Sequence, residues 1–109
     1  LDLSTSYLGS AGLEEIAPAL YRNTSIKTLD LISSGLDDIE SASILRELIR
    51  RTKTITSLCI GNNAICRNGP AARSIFEGLR SNTALQQLDL TDCGLDDHGM
   101  SLLANALAC

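Results

Sequence analysis

Four times along the chain a short run of alternating apolar and polar residues gives way to a longer run with apolar residues three and four apart. The pattern is clearest at residues 85–95, Leu-Gln-Gln-Leu-Asp-Leu-Thr-Asp-Cys-Gly-Leu. Leu88 and Leu90 alternate with polar neighbours, which places both on one side of a short strand. Cys93 falls where that strand ends and the backbone must turn. A small polar or sulfhydryl side chain there can bond main-chain groups that the bend leaves unpaired. Leu95 then returns the chain to the core. The same four columns recur: Leu1, Leu29, Leu58 and Leu88; Leu3, Leu31, Ile60 and Leu90; Ser6, Ser34, Asn63 and Cys93 at the bend; Leu8, Leu36, Ile65 and Leu95 at re-entry. Successive periods are 28, 29 and 30 residues. Four columns holding register over the whole chain identify an internal repeat.

The second half of each repeat reads as a helix. Ile16, Ala17 and Leu20 correspond to Ile44, Leu45 and Leu48, to Ile75, Phe76 and Leu79, and to Leu103, Ala104 and Leu107. Spacings of three and four put each set on one helical face. Asn23-Thr24, Arg51-Thr52-Lys53 with one extra residue, and Asn82-Thr83 close the returns to the next strand. Asp37 and Glu40 have capping-box spacing, and Pro70 suits a first helical turn. Pro18, inside the first helical pattern, is expected to shorten or bend its helix. Two additional residues in Cys66-Arg67-Asn68-Gly69-Pro70 predict a wider loop in the third repeat. The chain divides into four repeats, at 1–25, 26–54, 55–84 and 85–109.

The motif LxxLxLxx(N/C)xL followed by a helix, at 28 to 30 residues, resembles the ribonuclease-inhibitor class of leucine-rich repeats. Ser6 and Ser34 depart from it by replacing the Asn or Cys at the bend. The resemblance implies an α/β fold, a right-handed solenoid or horseshoe segment with a parallel sheet on the concave face and helices on the convex face. Solenoids need polar terminal caps, and neither end carries one, so the chain is expected to be a segment of a longer solenoid.

Composition narrows the function. The 109 residues carry a net charge of −4, which argues against a nucleic-acid partner, since that needs a basic face. No run approaches the about 20 apolar residues of a membrane span, and no secretory leader pattern is present. Aromatic residues are only 3%, so the core must be aliphatic. Cys59, Cys66, Cys93 and Cys109 form no CxxC pair, so neither a metal nor a cofactor is expected and reduced thiols in a cytoplasmic setting are. Asn23-Thr24-Ser25 is a formal glycosylation triplet, of consequence only in a secreted chain. His98 is placed in a solvated loop without a neighbouring nucleophile, and no catalytic residue is found.

Candidate binding residues lie on the strand side. Asp2, Asp30 and Asp89 recur at one outward column and are expected to cap nothing, and Cys59 completes that column. Gln87, Thr91 and Asp92 adjoin it. All eight aspartates fall on the strands or the strand-to-helix loops, whereas Arg46, Arg50, Arg51, Lys53, Arg73 and Arg80 sit on helices or their returns. The expected function is therefore a non-catalytic scaffold that binds a protein with a basic surface on the concave sheet and adjoining loops. The alternative, from the resemblance, is a regulatory region of a larger protein such as a Ran GTPase activator or a nucleotide-binding immune receptor.

Overall fold

Strand positions in this chain are brief because only the alternating residues around each leucine pair can bury one face while exposing the other. A computed structural model describes residues 1–67, 69–82 and 84–107, and of residues 98 and 105–107 only the backbone. The expectations for Asn68, Thr83 and Cys109, and for the side chains of His98 and Leu107, lie outside the described residues. Helices α1 (Gly9–Arg22), α2 (Ile39–Arg51), α3 (Gly69–Ser81) and α4 (Asp97–Leu107) alternate with strands β1 (Thr28–Asp30), β2 (Ser57–Cys59) and β3 (Gln87–Asp89). A 3-10 turn, Ala64–Arg67, takes up the extra residues of the third repeat.

The strands pair in parallel in the order β1-β2-β3. Leu29 pairs with Leu58 and Leu58 with Leu88, reproducing the sequence periods of 29 and 30. The first repeat contributes a single parallel bridge, Asp2 to Asp30. At the strand centres Leu29 and Leu58 are buried, and their flanking residues are not. The helices therefore cover one face of the sheet and the other stays open. Leu31, Leu36, Leu45, Ile60, Ile65 and Ile75 fill the space between the layers, each 0% exposed. Truncating one such side chain to alanine costs about 2–5 kcal/mol through lost transfer energy and the cavity left behind.

The bend column joins neighbouring repeats. The Ser34 hydroxyl donates to the Leu3 carbonyl at 2.9 Å, the Asn63 amide to the Leu31 carbonyl at 2.7 Å, and the Cys93 thiol to the Ile60 carbonyl at 3.1 Å. Each bend side chain thus holds the strand end of the repeat before it. Ser6 donates to Leu3 of its own repeat at 2.6 Å. One residue ahead of each bend, Thr5, Ser33, Asn62 and Asp92 all adopt left-handed backbone, with φ between 51 and 56°. The return loops are closed by a second column. Asn23, Thr52 and Asn82 accept from the amides of Ile26, Ile55 and Leu85 at 2.6, 2.9 and 2.5 Å.

Helix starts differ from expectation in detail. Asp38, not Asp37, is the cap of α2, accepting from the Ser41 amide at 2.8 Å. Asp96 accepts from the Gly99 amide at the same distance ahead of α4. Residue 98 lies in α4 rather than in a loop. Pro18 does not shorten α1, which runs on to Arg22 with the proline on its exposed side.

The expected right-handed solenoid or horseshoe segment, with a concave sheet and convex helices, needs correction. The described residues form a small closed α/β unit of four helices on one short three-stranded sheet. Its radius of gyration is 12.4 Å, against about 13 Å for a compact domain of this length. Curvature in a repeat array accumulates from a small rotation per repeat. Three strands about 4.8 Å apart make too narrow a wall to open a concavity. The helices, about 20 Å long, dominate the volume and round it off.

Candidate interaction face

Parallel register places Asp30, Cys59 and Asp89 side by side on the open face, with Asp2 bridged to Asp30 beyond them. The predicted column is therefore one physical row. Its carboxylates are not idle, however. Asp2 Oδ1 accepts from the Ser4 amide at 2.8 Å and the Ser4 hydroxyl at 2.5 Å. Asp89 Oδ1 accepts from the Thr91 amide at 2.9 Å and hydroxyl at 2.6 Å, and Asp30 Oδ1 from the Ile32 amide at 3.0 Å. Each aspartate closes an Asx turn at the end of its own strand. The expectation that they had nothing to cap is corrected on this point. The signal was present in the sequence as Asp-Leu-Ser and Asp-Leu-Thr, a short polar residue two positions after the acid.

These bonds also fix the charge. The hydroxyl and amide of Ser4 hold Asp2 below the usual carboxylate range, and those of Thr91 do the same for Asp89. Cys59 is half-buried, with Sγ 3.9 Å from Asp89 Oδ2. Burial, then the charges of Asp89 and Asp30, push its thiol up, so it stays protonated and is a poor nucleophile. Gln87 and Thr91 are exposed, and Asp92 is exposed at the left-handed position of the last bend. The row and its neighbours thus form an acidic strip without a reactive group.

Gly61 was not singled out by sequence reasoning. It is buried beneath the loop after β3, and a Cβ there would lie 3.0 Å from the Thr91 carbonyl oxygen. Its absence of a side chain lets that loop close against the end of β2. Cys66, hydrogen-bonded to the Cys93 thiol and buried, is pushed well above the ordinary thiol range. Among the described residues no group of His, Cys, Asp or Glu could hold a metal ion, and no helix is long and apolar enough to cross a membrane. A cleft of about 230 Å³ lies away from the sheet, between α2 and α3, lined by Arg46, Arg50, Glu77 and Ser81.

No family model matches the chain. Leucine-rich repeat-containing protein 45 of Gallus gallus is 33% identical over 105 residues, which is 92% of this chain and 16% of that protein. NACHT, LRR and PYD domains-containing protein 12 of Homo sapiens is 35% identical over 101 residues, 92% of this chain and 9% of that protein. The chain thus spans under a fifth of the length of either relative. Among solved structures, leiomodin-1 actin-binding site 2 superposes with a TM-score of 0.73 at 23% identity, covering 92% of this chain and 56% of that one. The tropomodulin C-terminal domain of Caenorhabditis elegans gives 0.71 at 14% identity, covering 98% and 63%. These likenesses carry the fold: a small unit of four helices and a short three-stranded sheet, in place of the expected solenoid. With two relatives so named matching nine-tenths of its length, the repeats of this chain are leucine-rich repeats.

Proposed function

We propose that this chain is a non-catalytic protein-binding unit whose open sheet face and adjoining loops receive Lys or Arg side chains of a partner. The observation that carries the reading is the row Asp2, Asp30 and Asp89. Each carboxylate is oriented by an Asx turn through Oδ1, which leaves Oδ2 to meet a cation, at Asp89 beside the Cys59 thiol. Pre-oriented carboxylates lose little entropy on pairing. Cys59, Gln87, Thr91 and Asp92 border the row and complete the contact surface. The acidic balance makes a protein the expected partner, rather than nucleic acid or a membrane surface. The likeness to leiomodin-1 actin-binding site 2 supports actin as a first partner to assay.

The test is calorimetric titration with purified actin and with a labelled oligolysine peptide, at two salt concentrations. Asp30→Asn with Asp89→Asn should weaken binding of the peptide and flatten its salt dependence, since the long-range attraction comes from those charges. Unchanged affinity and salt slope in that double variant would overturn the acidic face. A second reading, a regulatory region whose binding governs activity elsewhere in a larger chain, is supported by the relative that carries NACHT and PYD domains. It differs in requiring that occupancy of this unit change the activity of a protein containing it.

A further inference from the structure

Two thiols meet in the interior where the third repeat joins the fourth. Cys66 lies in the 3-10 turn Ala64–Arg67 and is 4% exposed, and Cys93 stands at the last bend and is 1% exposed. The Cys66 amide donates to the Cys93 carbonyl at 3.0 Å. One backbone bond of that length holds two Cα atoms about 5–6 Å apart, inside the span of a disulfide. The side chains follow the backbone. The Cys66 thiol donates to the Cys93 sulfur, which donates in turn to the Ile60 carbonyl at 3.1 Å. Both cysteines are free. Between the first and second repeats the Gly9 amide makes the corresponding bond to the Ser34 carbonyl at 2.9 Å, and neither of those residues carries sulfur. The join therefore needs no thiol pair.

The two thiols are not equivalent. The hydrogen bond from Cys66 holds the Cys93 thiol below its ordinary range, and the same bond, together with burial, holds Cys66 above it. Cys93 thus gives up its proton first, and Cys66 stands ready to resolve whatever forms on it. Joining the sulfurs costs the bend ladder little. The Ile60 carbonyl would lose the Cys93 thiol but keep Asn63 Nδ2 at 3.0 Å. The route in passes the exposed Arg67 and Asp92, which flank the pair along the chain. A single 3-10 turn opens at lower cost than the α-helices behind it, so a small oxidant reaches the sulfurs without global unfolding.

We propose that Cys66 and Cys93 are a peroxide-responsive pair whose reversible disulfide locks the last bend to the third repeat. The Cys93 thiolate attacks one oxygen of hydrogen peroxide and the O–O bond breaks. The hydroxide released takes up the proton that Cys93 gave up and leaves as water, and Cys93 becomes a sulfenic acid. The Cys66 sulfur then attacks the Cys93 sulfur, the S–O bond breaks, and the hydroxyl leaves with the Cys66 proton as a second water. Two thiols lose two electrons between them, and one peroxide is reduced to two waters. A dithiol reductant reverses the step by exchange. Closing the chain between residues 66 and 93 restricts its unfolded states, so oxidation sets how readily the repeat that carries Thr91 and Asp92 opens. The inference stands apart from the sheet-face reading, since it needs no partner.

The experiment uses the chain with Cys59→Ser and Cys109→Ser, which leaves only this pair. The reduced protein is treated with hydrogen peroxide, its remaining thiols are blocked, and the monomer is analysed by peptide mass mapping and urea unfolding. A peptide pair linked through Cys66 and Cys93 should appear, with the midpoint raised by at least about 1 M and restored by dithiothreitol. Adding Cys66→Ser should leave the starting midpoint nearly unchanged and abolish its response to peroxide. Cys93 should then stop at the sulfenic acid, which dimedone traps. No linked pair in folded, peroxide-treated protein overturns the lock. So does a midpoint that falls on oxidation, or Cys93 oxidised to the sulfinic acid while Cys66 stays free.

Discussion

Replacing Asn63 by leucine isolates the contribution of the bend ladder. Asn63 is 2% exposed and makes five hydrogen bonds through its side chain. Oδ1 accepts from the amides of Ser34 and Leu36, both at 3.0 Å, and Nδ2 donates to the carbonyls of Leu31, Ile60 and Gly61. Leucine has the same branching and number of side-chain heavy atoms but keeps none of these bonds. Ile60 O still receives the Cys93 thiol, and Gly61 O still receives the Ser33 amide. The groups left without a described partner are the Ser34 and Leu36 amides and the Leu31 carbonyl. At about 2 kcal/mol for each of these three buried unsatisfied groups, less roughly 2 kcal/mol gained by burying an apolar side chain, the net loss is about 4 kcal/mol. With a urea m-value near about 1.5 kcal/mol per M, the midpoint should fall by about 2.5 M. Cys93→Ser is the contrast, because a hydroxyl still donates to Ile60 and should cost under about 1 kcal/mol. An Asn63→Leu midpoint within about 0.5 M of the parent, given that m-value, would refute the ladder.

The other predictions concern smaller features. Gly61→Ala should destabilise by about 1–3 kcal/mol, because its Cβ meets the Thr91 carbonyl oxygen at 3.0 Å; thermal unfolding reads it, and an unchanged melting temperature counts against close packing there. Asp38→Ala should cost about 1 kcal/mol through the lost cap, while Asp37→Ala should be near neutral; equal effects in urea titrations would contradict the cap assignment. Cys59 should be alkylated slowly at neutral pH and faster in Asp89→Asn, since removing that charge lowers a thiol held above its ordinary 9.0; identical iodoacetamide rates would remove the charge from the account. Asp89 has its folded-state value depressed below the ordinary 3.8, so its stabilising contribution is present above 3.8 and lost as pH falls through the folded value. The stability gap between the protein and Asp89→Ala should therefore narrow in acid below that point, and a gap that widens there would reverse the sign.

Much of the local structure was determined by the sequence alone. Strand register follows from leucines at 28-, 29- and 30-residue periods, because a one-residue slip would turn every leucine to solvent. The bend ladder at Ser34, Asn63 and Cys93 was legible because a chain that turns under its neighbour strands main-chain groups that only a polar side chain can reach. The acidic row was legible as well, although its Asx turns were passed over despite Ser4 and Thr91 standing two residues on. Other features depended on how the pieces met. Asp37 and Asp38 are equivalent on a sequence; the angle at which α2 leaves the sheet decides which of them caps it. Pro18 is tolerated because it falls on the outer face of α1, where its ring meets solvent. The arginine cleft exists only because α3 comes against Arg46 at Gly78, a contact between residues 32 apart. The closed shape was likewise invisible in the repeat: a periodic sequence specifies what each unit buries, whereas overall curvature is a sum of small rotations that packing of the helices sets.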